Sequence, residues 1–332
     1  MKIIVCVFLL LIVSACNESS ESTVHNRRAI TKKETPESLL QVSKTKDIQS
    51  YDTKDQNTIF SLALEIPETK NKKAIINHSS YSLLYSEKHE QALWIAYELT
   101  SEETNRMFER SNKFTPDFSV KTGSANDQDY KGSGYDRGHL APAADMSFSQ
   151  RSMQESFYYS NISPQDPSFN RGIWKRLESL VRDWAIINKS LFVVTGPVLT
   201  QGLNSIGRNS VSIPNYYYKV ILDYRNPELK AIGFIIPNIG LKGDLSSFSV
   251  SVDKVEEITG LNFFSAIPDE QENYLESSVC ISCWSWKASS TNKNPKKKDG
   301  SSQAVQCSGI TKKGLRCKRR VLDPSGFCFQ HQ

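Results

Sequence analysis

His139 lies in the stretch "YDRGHLAPAADM" at 135–146, with a charged pair and a glycine before it and small apolar residues after it. An imidazole titrates near neutrality, which suits a general base. The same side chain at the end of a strand is as readily a packed core histidine, and the segment alone leaves both readings open. Asn170 and Glu178 pose a similar choice. At about 100° per residue, a helix running from Asn170 puts that residue near the middle of its apolar face and Glu178 about 80° away, at the edge. Polar groups bordering a buried surface need partners there. The plain alternatives are Asn170 as an N-cap and Glu178 as a surface carboxylate paired with Arg182 at i+4. A third set is Cys307, Cys317, Cys328 and His331, spaced C-x9-C-x10-C-x2-H. Three thiols and an imidazole satisfy the tetrahedral demand of a structural Zn²⁺, and so short a segment has too little apolar surface to fold unaided. The competing account is disulfides throughout, which strands one thiol and gives His331 no role. With the zinc set removed, Cys280 and Cys283 form a C-x2-C pair, expected as a disulfide in an oxidising compartment.

The elements that must position these residues can be read next. From Asn170 onward, Ile173, Trp174, Leu177, Leu180, Val181, Trp184 and Ile187 recur at helical spacing, with Arg171, Lys175, Arg176, Ser179, Arg182 and Asp183 opposite. Gly132, Gly134 and Gly138 imply sharp turns or close backbone approach around the histidine. The 332 residues suffice for one sizeable domain with extensions. Residues 1–16 read as a signal peptide whose apolar run is too short to span a membrane. It ends in Val13-Ser14-Ala15-Cys16, which resembles a bacterial lipobox and marks Cys16 for lipidation, so the chain is expected to be exported and membrane-anchored, or secreted. Residues 17–57 are polar and charged, a solvated tether. Apolar runs and helical stretches occupy 58–286, a basic linker 287–305, and the cysteine-bearing module 306–332. Residues 287–332 carry a net charge of +9, the rest of the chain −4. A basic tail binds nucleic acid by counterion release, lies on an anionic surface, or merely solubilises.

Three blocks, "DRGH" at 136–139, "SNISPQ" at 160–165 and N-x3-W-x2-LE from Asn170 to Glu178, resemble in order and spacing the DNA/RNA non-specific endonuclease family, the ββα-metal nucleases. The likeness extends more loosely over about 60–275 and leaves out both ends. It implies an α+β fold with a central antiparallel sheet flanked by helices and a metal site on a ββα unit. It implies His139 as the general base that takes a proton from the attacking water, and Asn170 as the one direct protein ligand of a hydrated Mg²⁺, or Mn²⁺, at the scissile phosphate. Glu178 would hold the ion's water and assist the leaving group, Arg137 would clamp phosphate, and Asp136 would brace the loop. A further upstream arginine is assigned to Arg110, with Lys113 competing. DNA and RNA are the implied substrates, cut without sequence specificity to leave 5′-phosphate and 3′-hydroxyl ends. The C-terminal cysteines resemble short Cys3His modules appended to other proteins. The alternative from another class is a nucleic-acid-binding surface lipoprotein that has lost catalysis. Nothing in the sequence sets an oligomeric state.

Overall fold

Every neighbouring pair in the central sheet runs antiparallel. The computed structural model describes residues 63–286 and, towards the C-terminus, 305–311, 314–318, 320–321, 325, 327 and 331. The signal segment, the tether, the linker through 304, Cys16 and Cys328 lie outside the described residues. In chain order the strands are β1 (Ile75–Asn77), β2 (Ser82–Ser86), β3 (Gln91–Thr100), β4 (Asp136–His139), β5 (Ile162–Gln165), β6 (Ser190–Pro197), β7 (Ser205–Ile206), β8 (Val211–Ser212), β9 (Tyr216–Asp223), β10 (Lys230–Pro237) and β11 (Ser249–Val250). The large sheet takes them in the order β1-β2-β3-β6-β9-β10-β11, while β4 pairs with β5 and β7 with β8. The helices are α1 (Asp127–Tyr130), α2 (Gln150–Glu155), α3 (Pro167–Phe169), α4 (Lys175–Asn188), α5 (Val252–Thr259) and α6 (Asp269–Glu276). This is the α+β arrangement expected from the sequence.

Helices cover both faces of the sheet, so its inner strands read as nearly continuous apolar runs rather than a clean alternation. On β9, Tyr217 and Ile221 belong to the core under α4, with Leu177, Leu180, Val181 and Trp184. The alternate residues Tyr218, Val220 and Leu222 face the other way and pack with Val252, Val255 and Leu275 from α5 and α6. β3 and β6 are direct neighbours, with Thr100 opposite Ser190. The whole of Ser101–Lys189, including β4, β5 and α4, is therefore an excursion between two adjacent strands. The Ser101 amide donates to the Lys189 carbonyl (2.7 Å) and pinches its neck.

Two details of the expected helix are corrected. The chain does not run as one α-helix from Asn170: α3 leads into a π-helical turn, Asn170–Trp174, with Gly172 at φ −102° and ψ −108°, before α4 begins. The wider turn breaks the 100° projection between Asn170 and Glu178, and such bulges recur at functional sites. Ile187, expected on the apolar face, is 52% exposed, and Asp183, expected on the polar one, is buried. Near the end of the domain a disulfide joins Cys280 and Cys283, whose Cα atoms are 5.4 Å apart. It is followed by Trp284 and Trp286, whose rings pack at 4.5 and 5.4 Å from Trp184 on α4. In the C-terminal module β12 (Val305–Gln306) pairs antiparallel with β13 (Arg320–Val321).

Candidate active site

β4, β5 and the π turn leading into α4 form a compact ββα unit. The register sets Asp136 opposite Gln165, Arg137 opposite Pro164, Gly138 opposite Ser163 and His139 opposite Ile162. Gly138 is needed for packing: a Cβ there would overlap the Gln165 carboxamide. Asn161 locks the strand's exit. Its Oδ1 accepts from the Ala141 amide (2.8 Å), and its Nδ2 donates to the carbonyls of Ala141 (2.9 Å) and Ser156 (2.7 Å).

The His139 side chain is 7% exposed and its Nε2 meets no hydrogen-bond partner. Its ring stands edge-on to Phe157 (4.8 Å) and tilted to Phe114 (5.6 Å). Burial first, and then the Arg110 charge, pull its conjugate acid down to about 3, so the imidazole is neutral at neutral pH but titrates well below the near-neutral range expected from the sequence. The same two rings carry both arginines. Arg110 lies 5.0 Å over Phe157 and Arg137 lies 4.5 Å over Phe114. Arg110 also donates from Nε to Asn112 Oδ1 (2.8 Å). Of the two upstream candidates, Arg110 and not Lys113 is thus the cation stacked beside the histidine. Arg137 is held from the other side by an ion pair with Asp127.

Asp136 gathers the metal-binding candidate. Its Oδ2 accepts from Asn170 Nδ2 (2.9 Å) and Arg171 Nε (2.8 Å), and its Oδ1 accepts from Arg171 Nη2 (2.5 Å). With the amide nitrogen committed, Oδ1 of the half-buried Asn170 is the atom that can serve as a ligand. One neutral oxygen fits an ion that keeps most of its hydration shell, as Mg²⁺ does. Glu178 is half-buried on α4, and burial raises its pKa above the usual carboxylate value. It does not form the i+4 ion pair with Arg182. That guanidinium turns inward to Asp145 (2.7 Å), whose other oxygen accepts from Tyr97 (2.8 Å).

Opposing the rise at Glu178 most strongly is Lys219 of β9, a residue outside the three sequence blocks. Lys219 is fully buried among Tyr217 and Ile221 on the α4 side of the sheet, and its Nζ, 5.0 Å from the Trp174 ring, has no hydrogen-bond partner. Burial lowers its pKa, and Glu178 is the chief group sustaining its charge. The signal was present in "YYYKVILD", a lysine sharing the parity of inward aromatic and aliphatic neighbours. Arg171, Phe114 and Phe157 escape a reading of the sequence for a plainer reason, since only the folded chain brings them to the site.

The profile of the DNA/RNA non-specific endonuclease family matches residues 62–270. The chain belongs to the DNA/RNA non-specific endonuclease family. Among relatives, it is 36% identical over 214 residues to the mitochondrial nuclease EXOG of Danio rerio, covering 58% of this chain and 62% of that one. It is 33% identical over 221 residues to nuclease C1 of Cunninghamella echinulata var. echinulata, covering 61% of this chain and 88% of that one. A chain in the crystal structure of the EndoG/EndoGI complex superposes with a TM-score of 0.56 at 32% identity, covering 59% of this chain and 88% of that one. The chain spans about three-fifths of the length of the EXOG relative. In this non-specific endonuclease domain the packed core continues beyond the matched segment to Trp286.

Proposed function

We propose that the chain is a metal-dependent endonuclease hydrolysing phosphodiester bonds of DNA and RNA without sequence specificity. The observation that carries this is a buried neutral His139 with an unpartnered ring nitrogen, two strand positions from an arginine and on the same hairpin as the carboxylate that orients Asn170. Mg²⁺, or Mn²⁺ in its place, would be held by Asn170 and supply charge neutralisation at the scissile phosphate and the leaving oxygen. His139 takes the proton from the attacking water. Arg137 and Arg110 engage phosphate oxygens, each steadied by an aromatic ring beneath it. Glu178 orients hydration water and assists departure of the leaving oxygen. Contacts of this kind fall on phosphate and sugar, which carry no sequence information. Relaxed plasmid should appear with Mg²⁺, disappear with EDTA, and fall by about 10²-fold or more in His139→Ala. DNA binding without metal-dependent cleavage would leave only the inactive binding protein.

Export and lipidation at Cys16 belong to the same proposal, supported by the lipobox-like sequence and by the Cys280–Cys283 disulfide. So does structural Zn²⁺ at Cys307, Cys317, Cys328 and His331. In support, one donor atom from each of Cys307, Cys317 and His331 lies within 4.8 Å of the others, and Cys307 Sγ is 3.4 Å from His331 Nδ1. Thiolate and imidazole donors at tetrahedral Zn²⁺ distances would be about 3.6 Å apart. Metal analysis of the full chain against a 1–304 truncation decides this: equal zinc content in both would sink it.

A further inference from the structure

On the sheet face opposite α4, the α5 and α6 helices bring four carboxylates together, and among the described residues no ion pair joins them to a basic side chain. Asp253 and Glu256 lie one turn apart on α5, and Glu272 and Glu276 one turn apart on α6. One carboxylate oxygen each from Asp253, Glu256 and Glu276 lies within 4.8 Å of the other two. Glu276 is only 4% exposed, and its Oε1 meets no donor; the Oε1 of Glu272 is likewise buried without one. The Phe263 amide donates to Glu256 Oε1 (2.7 Å). Lys254, the nearest lysine in sequence, is engaged by both oxygens of Glu257 (2.8 and 2.7 Å).

A carboxylate taken out of water without a donor is strongly disfavoured, and like charges around it add to the penalty. Burial, and after it Glu256, Glu272 and Asp253 in turn, push the Glu276 carboxyl up to about 9. Two things relieve such a cluster: a proton held at Glu276, or a cation. A set of three or four carboxylates suits Ca²⁺, which takes six to eight oxygen ligands in flexible geometry, better than Mg²⁺, which keeps several waters and is usually held by one or two carboxylates. We propose that Asp253, Glu256 and Glu276, with Glu272 beside them, bind a Ca²⁺-class divalent cation that ties α5 to α6. The site is structural and separate from the catalytic ion, since α5 and α6 pack on the face of the sheet away from the hairpin.

The test is thermal unfolding of the full chain, stripped with EGTA and titrated with CaCl₂ to about 5 mM, in wild type, Asn170→Ala, Glu276→Gln and Asp253→Asn. A saturable rise in Tm of about 5 °C is expected in wild type at concentrations well above Kd. The same rise is expected in Asn170→Ala, because the catalytic ligand is not involved. Glu276→Gln and Asp253→Asn should lose most of it, and MgCl₂ at equal concentration should give less than half. Asp253 is exposed, so its variant keeps the test open if Glu276→Gln does not fold. The proposal is overturned if Ca²⁺ leaves the wild-type Tm unmoved, the result a proton at Glu276 would give. It also fails if the shift survives in Asp253→Asn, or if it vanishes in Asn170→Ala.

Discussion

At the scale of single residues, the site separates its charges by burial. His139 stays neutral down to about 3, whereas an unfolded histidine takes up a proton near 6.5. Between those values the unfolded chain binds more protons than the folded one, so stability rises with pH. The contribution of His139 is complete above about pH 6.5 and is lost progressively as pH falls towards about 3. His139→Gln should therefore flatten the decline of Tm between about pH 6.5 and 4, and an unchanged slope would show that the imidazole is not held neutral. Glu178 and Lys219 oppose each other across the core under Trp174. Removing the ammonium in Lys219→Met leaves burial to raise the Glu178 carboxyl further. If ionised Glu178 is the working form, the acid limb of the cleavage profile moves to higher pH by about one unit, a loss of about tenfold on that limb that fades in alkali. A uniform loss at every pH would mean that Lys219 serves only the packing.

At the scale of elements, the excursion between β3 and β6 makes the ββα unit a graft on a finished sheet. Its geometry rests on close packing such as Gly138 against Gln165. Gly138→Ala should depress cleavage by about 10²-fold through displacement of the hairpin, and Gln165→Ala in the same chain should restore part of it. No recovery in the double variant would place the fault elsewhere. This scale also shows what was legible in the sequence. Most of α4 could be read because its apolar residues recur at helical spacing, Asp136, His139, Asn170 and Glu178 could be read as a motif, and the antiparallel sheet followed from the family resemblance that motif carries. The π turn could not, because an extra residue in one turn leaves no mark on composition. Neither could the inward turn of Arg182, whose partner Asp145 lies far along the chain and competes with Glu178 only in three dimensions. The aromatic seat of the two arginines depends on Phe114 and Phe157, from segments without any periodic signal.

At the scale of the whole molecule, the charge is divided between an acidic body and a basic tail. If the tail engages nucleic acid, deleting 287–332 should weaken DNA affinity at low salt, with turnover on bound substrate unchanged. The slope of log K against log salt should then shrink by about 0.9 for each phosphate that is no longer neutralised. An unaltered slope would confine binding to the body. The body itself carries a built-in optical reporter. Of the five tryptophans in the chain, Trp284 and Trp286 both pack their rings against Trp184 on α4. Three clustered indoles should dominate the near-ultraviolet circular dichroism, so release of the 280–286 segment would be visible as a change in band intensity before the sheet melts. The 280–286 segment can thus be followed by light alone, without label or substrate.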